Sequence, residues 1–303
     1  LLMASRLHHW CIKDSLPMPD QTLILDQATS LRRLTARRHV EVKGPRPHLV
    51  TVTSGKGGVG KSTVALNLAI KLSEAGKKIL LLDADANLAN LDVMLGISPR
   101  WRLNHVLRGE RDLEDALVSP FPRLKILAGS SGDLEYPLLG MEQQNRLLDE
   151  LLSTEERFDL VMIDTAAGLN KEIVNFAIHS DDVLIVTNAE PTSVMDAYAM
   201  MKIILACNPD IPLSFIMNSA RFPQLADEAA AKLQMALGHF LNVQARYVGF
   251  IPFDEHVSRA VAKQQPLVRM YPNSAASLSI HSFAREFVLH SPSHVGARRL
   301  VPA

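Results

Sequence analysis

The ten residues SGKGGVGKST, positions 54–63, place Gly55, Gly57, Gly58 and Gly60 around Lys56 and Lys61, ahead of Ser62 and Thr63. Glycines at this density let successive backbone N–H groups curl around phosphate oxygens, and a helix starting at Lys61 aims its positive end at the same anion. The spacing satisfies G-x-x-x-x-G-K-[ST]. Lys61 is placed for the β- and γ-phosphates and the Ser62 hydroxyl for Mg2+, with Val59 and Thr63 completing the loop. Lys56 is not required by that pattern. A phosphate loop also needs carboxylates at strand ends to hold a metal and its waters. Asp83 and Asp85 close the apolar run ILLLDAD, and Asp164 closes VMID; alternation along a strand puts Asp83 and Asp85 on one side.

Positioning these groups is work for strands and helices in alternation. HLVTVTS (48–54) is a β-branched strand feeding the loop, and KSTVALNLAIKLSEAG (61–76) has helical periodicity ending at Gly76. KKILLLDAD is wholly apolar, as a strand buried on both faces of a parallel sheet must be. Further strands are expected at 123–130, 158–166, 181–188, 212–219 and 245–252. Helices are expected near 141–153, 170–179, 192–206, 223–240, 254–263 and 274–289. Repeated βα units imply an α/β fold: a doubly wound, mostly parallel sheet flanked by helices, with ligands at the carboxyl ends of its strands. The expected division is an N-terminal extension over 1–47, one domain over 48–290 and a tail over 291–303.

Composition narrows the rest. Apolar residues make up 47% and charged residues 21% of the 303, ordinary for a globular chain. Lysine plus arginine equals aspartate plus glutamate at 32 each, so no global field favours nucleic acid or an anionic membrane. Cys11 and Cys207 have no metal-ligand spacing, which argues against disulfides and structural zinc and fits a reducing cytosol. No apolar run reaches the roughly 20 residues that span a bilayer. The first 20 residues make a poor signal peptide, and residues 1–17 read as upstream or poorly ordered sequence, with Met3 or Met18 as candidate starts. LILDQATSLRRLTARR (23–38) has Leu23, Gln27, Leu31 and Leu34 at helical spacing, with Asp26 early and arginines late. HVEVKGPRPHL then reads as a linker.

Taken together, KGGVGKST with its early lysine, DADANLANLD and DTAAGL resemble the deviant Walker A P-loop ATPases of the MinD/ParA family. The resemblance implies ATP and Mg2+ as cofactors and an ATP-dependent homodimer. Lys56 would reach across it to the partner's phosphates and stabilise transition-state charge as an arginine finger does. It further implies that Asp85 orients the attacking water, and that Asp83 and Asp164, with Ser62, hold Mg2+ and its water shell. Asn218, ending FIMN, matches the residue that reads adenine, although the family often has Arg next and Ser219 stands here. Pro252 and Asp254 of IPFD match positions beside the base.

Within the family, the absence of suitable cysteines excludes the iron–sulfur branches and the arsenite branch, and the absence of tyrosines after Tyr271 excludes the tyrosine kinases. LDQATSLRRL (25–34) resembles the DQAxxLR arm of the FlhG branch, which regulates flagellar number and placement, and EPTSVMDAYAMMK (190–202) is similar to that branch too. By this resemblance Asp26, Gln27, Ala28, Leu31 and Arg32 contact and stimulate an FlhF-type signal-recognition-particle GTPase. A flagellar transcription activator and flagellar switch proteins are further implied partners. The other readings are restraint of that activator and ParA-like cargo positioning; the neutral charge gives nucleic-acid binding little support. Family members attach to membrane through a C-terminal amphipathic helix. Here 274–290 carries an apolar stripe (Ile280, Phe283, Phe287) with few basic residues opposite. It is therefore expected to pack on the core of a cytoplasmic protein, leaving peripheral attachment to the inner membrane face open.

Overall fold

A computed structural model describes residues 46–85, 89–130, 140–154 and 158–290, with side chains to 287. The expected arm helix, its five partner residues and the C-terminal tail lie outside these. In chain order the elements begin with β1 (His48–Ser54), α1 (Lys61–Glu74), β2 (Ile79–Ala84), α2 (Leu91–Leu95), α3 (Leu103–Leu107) and α4 (Leu113–Ala116). There follow β3 (Leu117–Phe121), β4 (Leu124–Leu127), α5 (Met141–Ser153), β5 (Leu160–Ala167), α6 (Lys171–His179), β6 (Asp182–Thr187) and α7 (Pro191–Cys207). The chain continues through β7 (Leu213–Ala220), α8 (Pro223–Leu241), β8 (Arg246–Pro252), α9 (Glu255–Ala262), α10 (Leu267–Met270) and α11 (Ala275–His290).

The strands form one eight-stranded sheet in the order β3-β4-β2-β5-β1-β6-β7-β8. Every neighbouring pair is parallel except β3–β4. That antiparallel strand was not foreseen: LVSPF lacks a clean apolar run, and Pro120 is tolerated because β3 lies at the sheet edge. The near-continuous apolar runs of β1, β2 and β5 are explained by burial on both faces. Ile79 and Leu81 join Val50 and Val52 in a core layer under α1 and α11, while Leu80 and Leu82 join Val161 and Ile163 in a second layer against α3 to α6.

Local chemistry sets the helix ends. Asn170 accepts a hydrogen bond from Ile173 N at 3.0 Å to cap α6, proline opens α7 and α8, and Asn242 in a left-handed conformation closes α8. In α11, Ile280, Phe283 and Ala284 are buried and Phe287 packs against the same layer. Its apolar stripe therefore faces the core, as expected. Among the described residues, no helix is long and apolar enough to cross a membrane.

Candidate functional site

The strand order brings the chemically marked residues to one edge of the sheet. β1 lies between β5 and β6, and β2 lies beside β5, so the loop after β1 and the acidic ends of β2 and β5 are neighbours. Asp83 and Asp164 are register partners across β2 and β5. This is the carboxyl edge, where parallel α/β sheets bind ligands.

The loop is shaped by close approaches. Gly60 has φ 85°, a left-handed conformation that costs glycine little, and a Cβ there would lie 2.4 Å from Asn218 Nδ2. Asn218 Nδ2 donates to Val59 O at 2.7 Å, so the end of β7 clasps the loop. Gly55 is tighter still: a Cβ would sit 2.4 Å from the backbone carbonyl of Asp196 in α7. Both neighbours hold the loop open-handed at the start of α1.

Lys61 is 7% exposed, and its Nζ lies 2.5 Å from Asp164 Oδ1 and 3.3 Å from Ser62 Oγ. Asp83 is buried too. Its Oδ2 accepts from Asn90 N at 2.9 Å and Leu91 N at 3.1 Å, and its Oδ1 from Asp85 N at 3.2 Å. Burial drives the Asp83 carboxyl upward and the Asp164 charge adds to this; the three N–H groups oppose it only in part, leaving it at about 7. Burial raises Asp164 as well, against the opposing pull of Lys61 and Ser62. Lys61 thus pairs with only one of two neighbouring buried carboxyls, an electrostatic deficit that a divalent cation would correct. Among the described residues, no three His, Cys, Asp or Glu side chains form an all-protein metal cage. Mg2+ does not need one, because it keeps several waters and takes phosphate oxygens as ligands. The donor set of Ser62, Asp83 and Asp164 fits it.

Lys56 stands apart from this buried group. Its Nζ donates to Glu190 Oε2 at 2.8 Å and to Thr192 Oγ1 at 3.2 Å, with the lysine 40% and the glutamate 62% exposed. Both partners lie at the N-terminal end of α7. Both belong to EPTSVMDAYAMMK, but their contact with Lys56 was not expected, although a usable signal existed: β6 is parallel to β1, so whatever follows it must flank the loop. Arg102 was also missed. It joins Asp92 Oδ2 (2.6 Å) to Gly129 O (3.1 Å) and so pins the start of α2 to the segment after β4.

At the β7–β8 end, Pro252 is the register partner of Ala220, two residues past Asn218. Asp254 stands two residues beyond Pro252, and its carboxylate takes two backbone N–H groups. It caps α9 by accepting from His256 N at 2.9 Å, and its Oδ2 accepts from Ala276 N of α11 at 3.1 Å. Burial raises this carboxyl, but the bonds from Ala276 and His256 outweigh it and hold it at about 2.

A parallel strand, glycine loop, Lys-Ser and helix, with carboxylates on the two neighbouring strand ends, define a P-loop nucleotide-binding protein. The family profile described as an AAA domain matches residues 48–211. The chain is 37% identical to the antiactivator FleN of Pseudomonas aeruginosa over 238 residues, 78% of this chain and 85% of FleN. It is 35% identical to the flagellum site-determining protein YlxH of Helicobacter pylori, over 78% of this chain and 80% of YlxH. Among solved structures, the septum site-determining protein MinD of Pyrococcus horikoshii, complexed with Mg-ADP, superposes with a TM-score of 0.65 at 27% identity. That match covers 79% of this chain and 95% of MinD. The chain belongs to the MinD/ParA family of P-loop ATPases, in its FlhG (FleN/YlxH) branch.

Proposed function

We propose that this chain is an ATP-hydrolysing switch that closes as a homodimer on ATP and regulates flagellar number or placement. The observation that carries the reading is the division of labour between the two lysines. Lys61 is buried on Asp164 in its own subunit, while Lys56 sits at the surface on an exposed, exchangeable pair. Backbone N–H groups of residues 55–60 and the α1 N-terminus bind the phosphates, and Lys61 moves from Asp164 to the β- and γ-oxygens. Ser62, Asp83 and Asp164 would hold Mg2+ and its water shell, and the ion would supply charge neutralisation to the phosphates. Asp85, half-buried beside Asp83, orients the attacking water. Lys56 of one subunit stabilises charge developing on the partner's nucleotide, which makes turnover depend on dimerisation. Asn218, Pro252 and the loop held by Asp254 flank the base.

The flagellar role rests on the likeness to FleN and YlxH and on the DQATSLR arm. A glutamine and a guanidinium on a tethered arm suit entry into another protein's active site, here that of an FlhF-type GTPase. The decisive experiment measures GTP hydrolysis by that GTPase with full-length protein, with a version lacking residues 1–44 and with a peptide of 20–40. Stimulation by the first and third but not the second is expected; no stimulation by any of them would remove the arm from the proposal. A second reading, restraint of a flagellar transcription activator, is favoured by the 37% identity to an antiactivator. Nucleotide-dependent binding to a σ54-type activator would establish it.

A further inference from the structure

Asn67 lies in the middle of α1 and is 1% exposed, yet both its amide nitrogen and its amide oxygen are hydrogen-bonded. Its Nδ2 donates to Thr63 O at 2.8 Å, one helical turn back toward the phosphate loop, and its Oδ1 accepts from Val268 N of α10 at 3.0 Å. A buried amide bridging two segments 201 residues apart is costly to place and costly to break. The base end of the site is tied to the same C-terminal unit. Asp254, two residues after Pro252, caps α9 and accepts from Ala276 N in the first turn of α11. α11 returns to pack Ile280 and Phe283 in the core layer that holds Leu68, Ile70 and Leu72 of α1.

Resting on the nucleotide reading above, we infer that Asn67 is a positioning residue which couples occupancy of the phosphate loop to α10 and the start of α11. Phosphate bound by the N–H groups of the first turn of α1 fixes that turn. Thr63 O is held with it, Asn67 keeps one orientation, and the bond from Val268 N–H to Asn67 Oδ1 opens less often. The C-terminal unit thereby tightens when nucleotide binds, with no residue of it touching the phosphates. Asn67 touches no substrate atom; it acts through α1.

Hydrogen exchange of the full chain, with and without saturating Mg-ADP, tests this. Exchange is expected to slow over 61–66 and, together with it, over 266–279, by about five-fold at Val268, the effect of firming up one buried hydrogen bond. In Asn67→Ser, slowing over 61–66 should remain while the response over 266–279 disappears. A wild-type response confined to 61–66 would overturn the coupling and leave the nucleotide site standing. No response over 61–66 would overturn the nucleotide site and the coupling with it. The wild-type comparison tests the coupling itself even if Asn67→Ser folds poorly. A variant that keeps the 266–279 response would assign the coupling to Asp254 and refute the role of Asn67.

Discussion

Replacing Glu190 by alanine removes the acceptor that holds Lys56 in its own subunit. If Lys56 acts across a dimer, it must first leave Glu190 and Thr192, once in each subunit. The pair is well exposed on both sides, so it contributes only about 0.2–1 kcal/mol. Breaking two of them costs about 0.4–2 kcal/mol, which is about 2- to 30-fold in the dimer dissociation constant. Glu190→Ala should therefore tighten the dimer formed with Mg2+ and a non-hydrolysable ATP analogue by that factor, while the unfolding free energy falls by no more than about 1 kcal/mol. Sedimentation velocity over a range of protein concentrations reads the dissociation constant directly. The gain should shrink in high salt, since screening shortens from about 10 Å at 0.1 M to about 3 Å at 1 M. It should also vanish on a Lys56→Ala background, where there is no lysine to release. A dimer no tighter in Glu190→Ala, or tightening that survives Lys56→Ala, would refute a latch between these residues.

Asp83→Asn tests the buried carboxylate pair through pH. With its folded value near 7 against an ordinary value of about 3.9, Asp83 keeps a proton that the unfolded chain releases. Stability is therefore lost as pH rises from about 4 to 7 and stays lost above. The apo variant should be more stable than wild type at pH 8, by at most about 4 kcal/mol, and equal to it at pH 4; urea unfolding at both values measures this. Lys61→Ala should abolish ATP binding in calorimetry and, by leaving Asp164 buried without its cation, lower stability by about 3–5 kcal/mol. Gly55→Ala should disable nucleotide binding while most of the fold survives, because its Cβ would lie 2.4 Å from the Asp196 backbone; unchanged affinity would mean that α7 yields easily.

The parts of the site readable from sequence are those whose chemistry is local. The glycine loop, Lys61 and Ser62 are one contiguous run, and Asp83 and Asp164 each follow an apolar stretch of the kind that burial on both faces of a sheet requires. Helices opened by proline or closed by glycine came within a residue or two of their observed ends, as with α7, expected over 192–206 and found over Pro191–Cys207. What escaped depends on pairing between distant segments. The Lys56–Glu190 contact spans 134 residues and the Asn67–Val268 contact 201; each is set by strand order, which no local pattern encodes. Asp254 has a place beside the base by resemblance, and its hydrogen bonds, which cap α9 and reach Ala276 N of α11, are a second, structural use that its sequence neighbourhood did not announce.

The burial of the α11 stripe also governs how attachment experiments must be designed. In a chain where the last helix is a loose amphipathic anchor, deleting it frees the enzyme from lipid and leaves the rest intact. Here a deletion beginning at Ala275 would strip Ile280, Phe283 and Ala284 from the wall that backs α1, at about 3–5 kcal/mol for the phenylalanine alone. It would also remove the Ala276 N–H that Asp254 accepts. Such a truncation would abolish any association of the chain in one stroke by unfolding it, and would mimic an anchor's loss without testing it. Cuts placed after His290 keep the wall in place, so any association they abolish belongs to the tail itself.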